Sequence, residues 1–271
     1  MKSIAHDVAP VMQLSIRFFA ASIFFGVWVL WREGRRAFTD GTLPSGLLLG
    51  LLFSLEFVLI GESLVYTTAA HSTVFLYTAP IFTALGVQFL PEERLDRIQW
   101  LGIAAAFVGI AFALLGPGRG PLADVIVGDF LAVLAGAVWG SANVVLRRAR
   151  VGSAATTKTV LYQVFPAALL LLAFAAYTGQ TTVLPTPAAL ASLVFQTLFI
   201  AIGSYIVWFW LIRHYLTGRL VLLTLLTPLF GVLFGALLLH DRIEPRFAIG
   251  AALVLAGILV VNSRRALRAA G

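Results

Sequence analysis

Nine stretches of this chain are continuously apolar over close to the ~20 residues that a helix needs to cross a bilayer's hydrocarbon core. They are Val11–Trp31, Ser45–Tyr66, Ser72–Leu90, Ile98–Leu115, Gly128–Leu146, Thr159–Tyr177, Leu190–Leu211, Leu220–Leu239 and Arg246–Asn262. A chain built this way must keep every backbone polar group satisfied inside lipid, which only helices and closed barrels do. The runs do not alternate polar with apolar, so a long β-barrel is disfavoured. The expected fold class is an all-α integral membrane protein with nine transmembrane helices. Met1–Pro10 has no small-residue cleavage site after a short apolar core, so the first run reads as a retained span and not a signal peptide.

The charges agree. Only 11% of the 271 residues are charged, mean hydropathy is +0.97, and of the 31 charged side chains only Arg17, Glu56 and Glu62 lie more than one helical turn inside an expected span. Lys and Arg fall on alternate loops, 14 on one side and 4 on the other, which by the positive-inside rule sets the C-terminus in the cytoplasm. The same topogenic bias accounts for the net charge of +7 without nucleic acid as a partner. With no cysteine, thiolate metal sites, disulfides and thiol nucleophiles are excluded, and neither a metal nor a cofactor is expected.

Displacing the sequence by 148 positions lays Pro80-Ile81-Phe82 on Pro228-Leu229-Phe230, Glu93-Arg94 on Asp241-Arg242, Gly102 on Gly250 and Gly109 on Gly257. Spans three and four therefore correspond to spans eight and nine. A displacement of five helices is odd, so the two copies cross the membrane in opposite senses, a device recurrent in secondary transporters. The fifth span has no counterpart before residue 1, and the reading is four helices plus five, a ten-helix fold with its first helix missing. The expected domains are a first repeat over 1–117, a linker over 118–127, a second repeat over 128–263 and a basic cytoplasmic tail over 264–271.

The string Glu93-Arg94-Leu95 followed by Gly102 and Gly109, and its recurrence as Asp241-Arg242-Ile243, Gly250 and Gly257, resembles the terminal helix pair of EamA-type transporters in the drug/metabolite transporter superfamily. Arg17-Phe18, Trp139-Gly140 and the mid-span Pro80 and Pro228 belong to the same resemblance. It implies two inverted bundles around a central cavity in a bacterial-type inner membrane, with alternating access. The implied activity is secondary active export of small metabolites such as amino acids or drugs. The implied partners are that solute, the lipid bilayer, and protons or an exchanged solute as the coupling species.

Several residues are candidates for substrate binding or gating, each against a plainer structural reading. Pro80 and Pro228 each remove a helical hydrogen bond in mid-span, which frees carbonyls at Leu76, Tyr77, Thr224 and Leu225 to line a cavity or act as hinges; ordinary kinked packing is the alternative. Glu56 lies roughly 17 Å along its helix, near the midplane, where a carboxyl must face protein or water. Proton coupling or recognition of an amino group competes there with a structural hydrogen bond. Arg17 and Glu62 reach similar depths and are expected to form a structural ion pair that fixes helix register or closes an outer gate. Tyr66, Tyr77, Trp139, Asn143, Tyr162, Gln163, Gln196, Tyr205 and Trp208 supply aromatic and amide groups suited to an amphiphilic solute. His71 is read as a solvated residue of a short outer turn, and Gly136-xxx-Gly140 as helix packing.

No catalytic signature accompanies these residues. His-Glu-x-x-His, Gly-x-Ser-x-Gly and a phosphate loop with its Lys-Ser/Thr are all missing. An intramembrane enzyme is thus disfavoured, a non-transporting membrane subunit or sensor is the remaining alternative, and uphill transport must draw on an ion gradient or exchange.

Overall fold

Proline and capping residues mark where the helices begin. The computed structural model of the chain describes residues 4, 6–88, 96–114, 122–149, 154–207, 226–239 and 243–270. Pro10 and Pro187 each occupy a first helical turn, where a missing N–H costs nothing. Thr186 caps the latter helix through a hydrogen bond from Ala189 N at 3.2 Å. The helices are α1 (Pro10–Glu33), α2 (Leu43–Tyr66), α3 (Ala69–Leu76), α4 (Ala79–Val87), α5 (Arg97–Leu114), α6 (Leu122–Arg148), α7 (Thr156–Thr178), α8 (Pro187–Phe195), α9 (Leu226–Leu239) and α10 (Pro245–Ala270). A short 3₁₀ turn, Gly34–Phe38, follows α1, and α8 continues into a π-helical stretch, Gln196–Gly203. Among the described residues the only β pairing is an isolated bridge between Val8 and Val183. Among the described residues, five segments are long and apolar enough to span a membrane: Pro10–Phe38, Leu43–Tyr66, Ala123–Leu146, Thr156–Thr178 and Pro187–Val207.

The expected span Ser72–Leu90 is not one helix. It divides at Tyr77-Thr78 into α3 and α4, and Pro80 sits in the first turn of α4 instead of kinking a continuous span. Thr78 holds the break: its backbone N–H and its hydroxyl both donate to Phe75 O, at 3.1 and 2.6 Å. A second difference is that α6 begins at Leu122, before the expected Gly128, so Asp129 lies two turns inside its helix.

The chain forms two compact units. The first comprises residues 1–58 and 145–213 and is organised by α1 packed along α7. Its core includes Leu14, Phe18, Ala21, Phe25, Val164, Ala168 and Leu171. Ser15 donates to Ala168 O at 2.8 Å, and a Cβ on Gly26 would meet Leu161 at 3.8 Å, so the two helices run antiparallel. Inside α7, Pro166 deprives the Tyr162 carbonyl of its helical partner. Gly50 of α2 packs so closely against that carbonyl that any Cβ there would overlap it.

The second unit comprises residues 59–144 and 214–271 and is organised by α5 packed along α10. A Cβ on Gly102 would lie 2.9 Å from Gly257 O, and one on Gly109 would lie 2.6 Å from Gly250 O. Ascending numbers on one helix meet descending numbers on the other, so this pair also is antiparallel. Bare glycine backbones let the two axes approach to the point where dispersion contacts are densest. On the other side of the unit, Gly136 and Gly140 of α6 pack against the α3–α4 break: Cβ atoms there would lie 2.6 Å from Thr78 Oγ1 and from Phe82 Cβ. This matches the packing role expected of the Gly136-xxx-Gly140 pair.

Candidate functional site

Polar groups in the first unit collect at two levels. One lies where the 3₁₀ turn leads into α2 and meets the start of α7. Gly41, at φ 77°, adopts the left-handed turn that folds the Asp40 carboxylate back onto Thr42. Asp40 Oδ1 accepts from Thr42 N at 3.1 Å and from its hydroxyl at 2.7 Å, and Asp40 Oδ2 accepts from Lys158 Nζ at 2.5 Å. The Lys158 ammonium and these Thr42 donors hold the Asp40 carboxyl well below the usual carboxylate range. Lys158 is 1% exposed and sits 5.7 Å from the Tyr162 ring centroid. Because Thr42 spends its hydroxyl proton on Asp40, the Tyr162 hydroxyl is the donor in the 3.0 Å contact with Thr42 Oγ1. Tyr162 therefore belongs to this ion-pair network. Lys158 is one of the loop cations that the charge distribution counts, and Asp40 and Thr42 complete its site.

The second level lies inside the bundle. Arg17 and Glu56 are each 7% exposed, and Tyr205 is within electrostatic reach of both. Arg17 places its guanidinium 4.8 Å from the Phe18 ring centroid and 6.0 Å from that of Phe57, at the edge of a Phe18, Phe53 and Phe57 cluster. Gln13 and Gln196 are buried beside it in the fold, joined by a 3.2 Å hydrogen bond from Gln196 Nε2 to Gln13 Oε1. Among the described residues, Arg17 Nε and Gln196 Oε1 are buried without a hydrogen-bond partner. The ion pairs among the described residues, Lys158 with Asp40 and His71 with Asp129, leave Arg17 and Glu56 out. Arg17 belongs to the first unit and Glu62, partly buried, to the second. The level as a whole offers a guanidinium, a carboxyl, a phenol and amides against aromatic walls.

In the second unit, Tyr77, Pro80, Trp139 and Asn143 come together where α6 meets the α3–α4 break. The Tyr77 and Trp139 rings meet edge to face at 5.4 Å, and Asn143 Nδ2 donates to Thr83 Oγ1 at 3.2 Å. Pro80 lies beside them in the first turn of α4. Trp208 and Thr224 lie outside the described residues; Pro228 falls within α9.

His71 corrects the sequence reading. It is not solvated: the Thr68 side chain caps α3 by accepting from His71 N at 3.2 Å, and the ring is buried, stacked on Phe247 at 3.9 Å and 7°. His71 Nδ1 lies 3.0 and 2.8 Å from the two oxygens of Asp129, which is fully buried and accepts from the Thr67 hydroxyl at 2.6 Å. Gly128 makes this possible, since a Cβ there would lie 2.8 Å from Thr67 N and Cβ. The signal available in sequence was an aspartate at the end of an apolar run, beside a glycine.

These features define a class: a membrane protein with several spanning-length helices that bury charged groups among aromatic ones. The model of the EamA-like transporter family matches residues 1–115 and 126–263, and the chain belongs to that family. It is 22% identical over 265 residues to a Bacillus subtilis protein named uncharacterized transporter YoaV, covering 96% of this chain and 89% of that one. It is 24% identical over 269 residues to an Escherichia coli protein named probable amino-acid metabolite efflux pump, covering 94% and 86%. A solved crystal structure superposes with a TM-score of 0.66 at 19% identity over 96% of this chain and 90% of the other, which establishes a shared fold. The family and these names indicate a membrane transporter rather than an enzyme.

Proposed function

We propose that the protein is a secondary active transporter that exports small metabolites by alternating access, and that amino-acid-like solutes are its cargo. The observation that carries this reading is the burial of a guanidinium and a carboxyl, Arg17 and Glu56, each within electrostatic reach of Tyr205 and neither engaged in an ion pair among the described residues. Keeping such groups in an apolar bundle is costly unless a ligand or water offsets the cost. A solute carrying both a carboxylate and an ammonium matches them, and the aromatic walls suit its side chain. The printed name of the Escherichia coli relative points to the same cargo.

Alternating access in this reading rests on two inverted repeats. It is supported by the antiparallel packing of α1 on α7 and of α5 on α10, and by the way Gly102 meets Gly257 while Gly109 meets Gly250. A displacement of 148 residues exchanges those two glycine contacts with one another. The positive-inside distribution supports a cytoplasmic C-terminus.

The test is counterflow of a radiolabelled amino-acid mixture into vesicles reconstituted with the purified chain. Wild type is expected to exchange label. Glu56→Gln is expected to lose most of that exchange and to change its pH profile, and Arg17→Gln to lose most of it at every pH. Wild-type rates and an unaltered pH profile in both variants would remove these residues, and the amino-acid cargo with them.

A further inference from the structure

We infer that the buried His71–Asp129 couple of the second unit is the proton-carrying site that energises transport. This rests on the transporter reading but uses none of the residues assigned to the solute. Asp129 is fully buried, and its two oxygens are occupied by Thr67 Oγ1 and His71 Nδ1. A carboxylate only accepts, so Nδ1 carries a proton and the neutral imidazole presents its lone pair at Nε2. Nε2 has no hydrogen-bond partner among the described residues, while 9% of the His71 side chain stays open. A proton from water adds there, giving an imidazolium that faces the Asp129 carboxylate on one side and the Phe247 ring on its flat face; release from the same atom restores the neutral pair. No bond other than N–H forms or breaks.

Imidazole is the side chain best suited to carry a proton back and forth, and this one stands at a junction of four helices. Thr67 closes α2, His71 opens α3, Asp129 lies in α6 and Phe247 in α10. Ser63 and Ser72, hydrogen-bonded at 2.7 Å, tie α2 to α3 one turn away. The other titratable or charged groups nearest this junction on or beside those helices are Glu62 and Tyr66 of α2, Tyr77 just after α3, Asp124 of α6 and Arg246 of α10, with Glu244 just before the last; α9, packed on α3, carries none between Leu226 and Leu239. None of them forms an ion pair with His71 or Asp129 among the described residues. Loading a proton thus changes the charge of one group to which four helices respond.

The experiment compares two modes in the same vesicles: counterflow of the radiolabelled amino-acid mixture, which needs no net proton movement, and its uphill accumulation under an imposed pH gradient. The variants are His71→Gln, Asp129→Asn and the conservative Asp129→Glu, each checked for a single monodisperse peak and wild-type helicity. The expected result is at least a tenfold loss of gradient-driven accumulation in His71→Gln and Asp129→Asn, counterflow persisting at a measurable rate that no longer varies between pH 5.5 and 8, and partial recovery of accumulation in Asp129→Glu. Wild-type counterflow without gradient-driven accumulation overturns the inference and leaves the transporter reading standing. So does gradient-driven accumulation that survives in both variants, or a parallel loss of the two modes in well-folded protein, which marks the couple as structural. Absence of wild-type counterflow overturns the amino-acid transporter reading itself, and this inference with it.

Discussion

Placing a methyl group on the seam between α5 and α10 gives a prediction whose sign and rank order come directly from distances. Ordinary carbon contacts begin near 3.4 Å, and a Cβ on Gly102 would be 2.9 Å from Gly257 O, one on Gly109 2.6 Å from Gly250 O, and one on Gly257 would overlap Gly102 O outright while meeting Ala106 Cβ at 2.8 Å. The blocking atoms are largely backbone and cannot swing aside. Each substitution must part the helices by roughly 0.5–1 Å, which forfeits a quarter to a half of the dispersion well for every atom pair along the seam. Overpacking of this kind costs about 1–3 kcal/mol. Gly61 of α2 is the control, because nothing lies within 4 Å of its Cβ position. Gly61→Ala is expected to stabilise by roughly 0.5–1 kcal/mol through backbone entropy alone. The expected order of destabilisation is therefore Gly257→Ala, then Gly109→Ala, then Gly102→Ala. The double variant Gly109→Ala/Gly257→Ala is expected to cost less than the sum, by on the order of 1 kcal/mol, because one separation serves both. The assay is reversible unfolding in mixed micelles by stepwise addition of a denaturing detergent, followed by far-UV circular dichroism and by fluorescence of Trp100 on α5. If Gly109→Ala and Gly257→Ala track Gly61→Ala to within 0.5 kcal/mol, the close seam does not exist.

Three other perturbations follow from the geometry. Asp40 is held below its ordinary value in the folded state, so its contribution to stability is present above about pH 4, the unfolded range, and is lost as pH falls toward the lowered folded value; the thermal midpoint of Asp40→Asn should decline less than that of wild type between pH 5 and 3, and parallel profiles would dismiss the ion pair. Pro80→Ala should change stability by no more than about 1 kcal/mol, since proline is favourable in a first turn; a gain of about 3 kcal/mol in the same detergent titration would instead mean that it interrupts a continuous helix. Gly128→Val should push α6 away from Thr67, abolishing gradient-driven accumulation together with the Asp129 contacts while α1 and α7 keep their packing; its effect is read by transport in vesicles and by circular dichroism.

Much of the helical layout was legible because burial in lipid imposes one rule along the whole run. The expected spans Val11–Trp31, Ser45–Tyr66 and Thr159–Tyr177 fall within a few residues of α1, α2 and α7, whose ends are set by local signals such as Pro10 and Gly34. The break at Tyr77-Thr78 escaped because hydropathy is continuous across it; what stops α3 is the Thr78 hydroxyl competing for Phe75 O, together with α6 glycines that arrive from about 60 residues away. His71 and Lys158 escaped for the same reason. Their partners, Asp129 and Asp40, are 58 and 118 residues distant, and a cation at the end of an apolar run looks solvated until the fold brings its carboxylate to it. Tyr77, Trp139, Asn143 and Tyr162 were named from composition, and their partners, the Tyr77–Trp139 ring contact, the Asn143–Thr83 hydrogen bond and the Tyr162–Thr42 hydrogen bond, became visible only in the fold.

The seam between α5 and α10 has a further consequence. Gly102 lies against Gly257 and Gly109 against Gly250, with Ala106, Leu253 and Val260 packed beside those contacts, so the helices are fixed in register as well as in distance. Sliding α5 along α10 would drive one of these side chains onto a bare carbonyl, so any rearrangement of this unit is expected to carry the two helices together as one body.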